Sequence, residues 1–111
     1  MILRGEVYDV ELGVPTGHEP ATRRPGIVVS SNRVNNGVGG LVGIVPITST
    51  RYGLRSHIEL EVGTSGLGHE SFARCDQIRM LSTLRLRSPR GHVVLAEMGE
   101  IDQALRFLLD L

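Results

Sequence analysis

The sequence predicts a small, mainly β protein, an antiparallel sheet or barrel closed by one C-terminal α-helix. Three observations predict it. Short β-branched runs alternate with Gly/Pro/Asn-rich breaks along the first two-thirds of the chain. The only long stretch with helical spacing lies at the C-terminal end. No strand–helix–strand alternation of the kind that builds parallel sheets is present.

The segment from Arg4 to Leu12 alternates, with Tyr8, Val10 and Leu12 on one side and Val7, Asp9 and Glu11 on the other, and is expected to be a half-buried first strand. Residues 13–24 carry two glycines and two prolines without a period and form a loop longer than most connections in a compact domain. Pro25–Ser31 and Leu41–Thr48 are expected to be central strands joined by a long Gly/Asn-rich hairpin loop. Pro46 has no N–H to donate, so the second of these should lie at an edge, bulge, or end there. Ser56–Val62 alternates Ile58, Leu60 and Val62 with His57, Glu59 and Glu61, a strand with one wet face. After a loop at 63–70, one or two short strands are expected around Asp76 and Gln77. From Val94 to Leu109, apolar residues at 94, 98, 101, 105, 108 and 109 follow the helical period, with acids early where the helix dipole favours them.

The 111 residues fit one domain, spanning 1–111, and the apolar fraction is almost wholly aliphatic. One cysteine, Cys75, cannot make an internal disulfide, and neither a signal peptide nor an apolar run of membrane-spanning length is evident, so a cytoplasmic address is expected. Net charge is zero, yet it is segregated: residues 1–19 and 97–111 are each −3, while 20–96 holds ten arginines against four acids, a net +6. A basic middle suits a polyanion, and the guanidinium fork matches phosphate geometry. The absence of lysine carries less weight, since a GC-rich genome would produce it in any protein.

Several chemistries are excluded by spacing. GVGGLVG at 37–43 lacks a glycine where Val42 stands and precedes no helix, so it is not a dinucleotide loop. His18, His57, His69 and His92 are scattered and form no ligand pair with Cys75, so neither a metal nor any other cofactor is expected. GTSGLG misses the nucleophile-elbow pattern. What remains is polar chemistry at strand ends. If adjacent strands bring Arg24 and Thr48 together, a guanidinium and a hydroxyl can hold one phosphate and stabilise charge developing on it, with Glu19 or His18 moving the proton. Taken singly, each residue has an ordinary structural explanation.

The ordered set is more specific. RGEVYDVEL, GHEP, RRPGIVVS, IVPITS, DQIR and IDQALRFLLDL occur in the order and spacing of MazF/PemK-type toxins, and the resemblance covers nearly the whole chain. It implies an SH3-like antiparallel barrel with a C-terminal helix, a homodimer, and metal-independent, sequence-specific cleavage of single-stranded RNA, leaving 2′,3′-cyclic phosphate and 5′-hydroxyl ends. It also implies neutralisation by a cognate antitoxin with a disordered inhibitory segment. By motif, the family's catalytic arginine and threonine fall on Arg24 and Thr48, and Glu19 is the first choice of base with His18 the second. Gly17, His18, Pro25, Ser49, Asp76 and Gln77 fall on RNA-contacting positions. His18 and Pro20 depart from the family's usual Gly-Ser-Glu-Gln loop, which bears on the RNA motif that is cut. Two other functions fit the same fold: a gyrase-inhibiting toxin and a non-catalytic RNA-binding homologue.

Overall fold

A computed structural model describes residues 1–13, 17 and 22–111. The elements in chain order are β1 (Glu6–Glu11), β2 (Arg23–Val28), α1 (Asn32–Asn35), β3 (Leu41–Thr48), β4 (His57–Leu60), β5 (Ser71–Arg74), β6 (Arg79–Ser82), β7 (Leu86–His92) and α2 (Leu95–Leu109). Seven strands form one antiparallel sheet in the order β4-β5-β3-β2-β1-β7, with β6 paired to β3 off that path. The strand path is open between β4 and β7, and the turn after β4 bridges that gap: His92 N donates to Thr64 O at 2.9 Å. Gly66, at φ +77°, lies so close to Arg90 that a Cβ would stand 2.0 Å from its carbonyl oxygen. Only glycine fits this seam.

The sheet is buried on both faces, which explains why the first strand departs from the half-buried expectation. Val7 on one face of β1 and Val10 on the other are both fully buried. Val7, Ile27, Val45 and Ile47 pack with Met98, Ile101 and Leu105 of α2 in one cluster, whereas Val10, Val28, Val42, Ile44 and Leu81 form a second cluster on the opposite side. A bent sheet encloses one face and lays the helix on the other.

Pro46 is accommodated differently from any of the three expected ways. It stands inside the sheet, facing Gly26 of β2, where the other neighbour of β3 changes. β6 pairs with Leu41–Ile44 and β5 with Ile47 and Thr48, so Pro46 falls in the gap, where no ladder donor is required. The expected hairpin loop is instead broken by α1, whose start is capped by Ser31 Oγ accepting from Val34 N at 3.3 Å. β4 is shorter than the alternating run: Val62 is exposed, and His57, expected on a wet face, has a side chain only 3% exposed. The expected strands around Asp76 are β5 and β6, separated by a 3-10 turn at Cys75–Gln77. β7, along the outer edge of β1, has no counterpart in the sequence reading.

α2 runs as the periodicity predicts, burying Met98, Ile101, Ala104 and Leu105. Leu108 and Leu109, expected on the same apolar stripe, are exposed. Glu97 is buried and joins helix to sheet: its Oε1 accepts from Val94 N at 2.9 Å and its Oε2 from Glu61 N, just beyond β4, at 2.5 Å.

Candidate active site and its neighbours

The ladders define one transverse row of side chains. Val10 pairs with Arg24 across β1–β2. In the β2–β3 ladder Gly26 faces Pro46 and Ile27 faces Val45; carried two residues further, this register sets Arg24 against Thr48 on the same face. Thr48 then pairs with Phe72, and Phe72 with Glu59. Facing residues in antiparallel strands lie roughly 5 Å apart at Cα, so the Arg24 guanidinium and the Thr48 hydroxyl can reach one phosphate.

Their chemical states suit that task. Thr48 is buried, and its Oγ1 accepts from Thr50 N at 3.1 Å, which fixes the rotor while leaving the O–H to donate. Arg24 is half-buried, and no described residue gives it a hydrogen bond or ion pair. Its neighbours are engaged: Arg23 with Glu11 at 3.4 Å, Arg51 with Glu70 at 2.7 Å, Arg90 with Asp9 at 3.1 Å. Gly26 seats the row, because a Cβ there would come 2.6 Å from Ile44 Cγ2 and 3.1 Å from Val10 Cγ2. Pro25, next to Arg24, is half-buried on the other face, and Ser49 is exposed one residue beyond Thr48.

The loop leading into β2 starts and ends at fixed points. Leu12 N donates to Thr22 O at 2.5 Å, closing its base. Arg79 Nη1 donates to Leu12 O at 3.1 Å and Arg85 Nη1 to Glu11 O at 3.2 Å. Gly17 is exposed at φ +60°. His18, Glu19 and Pro20 lie outside the described residues.

Asp76 is exposed and also braces its neighbours. It accepts from His57 Nε2 at 2.8 Å and pairs with Arg74 at 3.6 Å, fixing the imidazole, while Gln77 follows, half-buried, in the same 3-10 turn. The row also recruits residues just past the end of β3. The Arg51 guanidinium lies 4.7 Å over the Phe72 ring and bonds Glu70 and Glu59, which together raise its already high pKa, Glu70 most. Tyr52 meets the His57 ring edge-on at 5.6 Å and has Arg74 5.2 Å from its ring. The available signal was the polar run STRY continuing directly past the end of a buried strand. Cys75 is buried in the core, and burial pushes its thiol up to about 12, so it does not serve as a nucleophile near neutrality.

Comparison with known proteins identifies the family. Residues 3–109 match the model of the PemK-like, MazF-like toxins of type II toxin–antitoxin systems. The chain is 37% identical over 116 residues to the endoribonuclease MazF9 of Mycobacterium tuberculosis, covering 100% of this chain and 98% of that one. It is 33% identical over 113 residues to the endoribonuclease MazF2 of Mycobacterium bovis, covering 100% and 99%. Among solved structures it superposes on MazF from Deinococcus radiodurans with a TM-score of 0.86 at 25% identity, covering 99% and 97% of the two chains. A mycobacterial endoribonuclease solved in complex with its cognate antitoxin gives a TM-score of 0.81 at 28% identity, covering 100% and 97%. With the family model matched over residues 3–109, a relative 37% identical over the whole chain and the same fold in solved structures, the chain belongs to the PemK-like, MazF-like toxins of type II toxin–antitoxin systems.

Proposed function

We propose that this protein is a sequence-specific endoribonuclease toxin that cuts single-stranded RNA at a phosphodiester held between Arg24 and Thr48. The observation that carries this reading is their placement across β2 and β3, with the guanidinium unengaged among the described residues. The ribose 2′-hydroxyl gives its proton to the base and its oxygen attacks the neighbouring phosphorus; the bond from phosphorus to the 5′-oxygen breaks, and that oxygen leaves with a proton from Arg24, which solvent replaces, giving a 2′,3′-cyclic phosphate and a 5′-hydroxyl. Arg24 and the Thr48 hydroxyl stabilise the negative charge gathering on the phosphoryl oxygens. Because guanidinium is protonated at neutral pH, Arg24 does not act as base. That role goes first to Glu19 and second to His18, with Gly17 in the same loop and Pro25 and Ser49 flanking the cut nucleotide.

The protein acts in the cytoplasm, where its RNA is; no helix among the described residues is long and apolar enough to cross a membrane. It works as a homodimer. Leu41 and Met80 stand exposed on one face of the β3–β6 ladder and give a second copy an apolar surface. A flexible acidic segment of the antitoxin occupies the basic groove that receives RNA, so an acidic peptide competes with RNA for it. Both relatives described above are named endoribonucleases, and no feature of the site favours gyrase inhibition.

The test is incubation with a long mixed-sequence single-stranded RNA in EDTA, beside Arg24→Ala and Thr48→Ala, with cut sites and end groups mapped. Cutting at one short motif with cyclic-phosphate ends, lost in both variants, is expected. Intact RNA with the parent protein refutes the reading.

A further inference from the structure

Beside the Arg24–Thr48 pair lies a feature that the cleavage chemistry leaves unused. A pocket of about 150 Å³ opens between Arg51, Tyr52, His57, Glu59 and Phe72. Phe72 faces Thr48 directly in the β3–β5 ladder, so the pocket begins one strand, roughly 5 Å, from the phosphate position. It is smaller than the roughly 300–1,000 Å³ of sites that enclose a whole drug-sized ligand, which suits one ring of a longer molecule.

Its lining selects the uncharged part of a nucleotide. Arg51 is held by Glu59 at 3.2 Å and Glu70 at 2.7 Å, two carboxylates to one guanidinium, so the cluster carries a net negative charge and repels a phosphate. Its planes are exposed: Tyr52 is 54% accessible as a residue, and the Arg51 guanidinium rests one face on Phe72 while its side chain remains 58% accessible. Such planes are where splayed-out RNA bases stack. At the rim, the Glu59 carboxylate accepts and the adjoining Arg51 N–H groups donate, and the pairing edge of every base sets a donor beside an acceptor. A further mark is His57 Nδ1. The imidazole is locked by Asp76 through Nε2, its side chain is 3% exposed, and Nδ1 is buried without a partner among the described residues. Native buried polar atoms are nearly all satisfied, so an orphan in a pocket wall points to a function there.

We propose that this pocket binds one unpaired base of the RNA, that of a nucleotide flanking the cut phosphodiester, stacked on Tyr52 and Arg51 and read along its pairing edge by Glu59 and Arg51. The assignment rests on the nuclease reading above and makes Tyr52 and Glu59 determinants of the RNA motif. Asp76, which holds His57 and reaches Arg74 beneath Tyr52, positions the wall and leaves the base to others.

The experiment compares the full-length protein with Tyr52→Ala, Tyr52→Phe and Glu59→Gln, all at exposed positions. Tyr52→Ala is expected to raise KM for a single-site RNA about tenfold, from the loss of one base stack, with kcat unchanged, while Tyr52→Phe matches the parent. Glu59→Gln is expected to change the base preferred at one fixed position beside the cut and at no other. An unchanged KM in Tyr52→Ala together with an identical base distribution in Glu59→Gln overturns the proposal. Should the parent leave RNA intact, the nuclease reading fails separately, and anisotropy with fluorescein-labelled octanucleotides differing at one position decides the pocket. A preference erased by Glu59→Gln upholds base binding, and its absence in the parent overturns it.

Discussion

Replacing Glu97 by alanine should detach α2 from the sheet at a single point. The carboxylate accepts from two backbone donors, Val94 N at the start of the helix and Glu61 N at the end of β4, from a buried position. A hydrogen bond to a charged group contributes about 1.5–3 kcal/mol, and a helix-capping bond contributes less, about 1 kcal/mol. Glu97→Ala, leaving both donors unmet, is therefore expected to cost about 2–4 kcal/mol. Glu97→Gln keeps one acceptor oxygen and should lose about half of that. Urea unfolding followed by circular dichroism reads the difference as a lower midpoint at unchanged slope, and hydrogen exchange at Val94 and Glu61 should accelerate in the alanine variant. An alanine variant within about 0.5 kcal/mol of the parent, the ordinary range for a neutral surface change, would refute the assignment of Glu97 as the clamp.

Four further outcomes are expected. In a double-mutant cycle, Arg24→Ala should lower kcat by about 10²–10³, as loss of a charge-stabilising donor does. Arg24→Ala/Thr48→Ala should be clearly less than the product of the single effects, because both groups serve one phosphate; single-turnover cleavage measures this. Gly26→Ala should destabilise by about 1–3 kcal/mol through overpacking against Ile44 and Val10, read as a lower thermal midpoint. Met80→Asp, placing a charge on the exposed β3–β6 face, should shift the protein from dimer to monomer in light scattering. Cys75 should resist iodoacetamide until the protein unfolds. Since its folded thiol titrates at about 12 against 9.0 in the unfolded chain, the stability from keeping it neutral is complete below pH 9 and declines as pH rises from 9 towards 12.

The sequence showed the helix and the central strands clearly because each carries a local rhythm: Met98, Ile101 and Leu105 repeat at helical spacing, and Ile44, Val45 and Ile47 form a dense β-branched run. β7 carries none. LRSPRGH has one apolar residue, and its place is set by pairing with β1, a partner almost the whole chain away. His57 was misplaced for the same reason, since alternation assigns a face but not what covers it. Here Asp76 arrives from beyond β5, and Tyr52 folds back from the turn just before β4, to bury the imidazole. Arg24 and Thr48 were suggested by their motifs, but their opposition depends on the β2–β3 register, and Arg51 and Tyr52 acquire meaning only once Phe72 stands beside Thr48.

The clamped base of the loop between β1 and β2 has an evolutionary consequence. Leu12 N bonded to Thr22 O, with Arg79 and Arg85 gripping the carbonyls of Leu12 and Glu11, makes the geometry at both ends independent of the residues strung between them. Lengthening a closed loop is cheap, roughly 0.6 kcal/mol for each doubling. Changes of length or composition between those clamps are therefore expected to leave the fold in place. On the nuclease reading proposed above, replacements there can alter which transcripts are attacked and, where they remove Glu19 or His18, whether any are cut, while selection on folding stays nearly blind: such a protein can lose its chemistry without losing its shape.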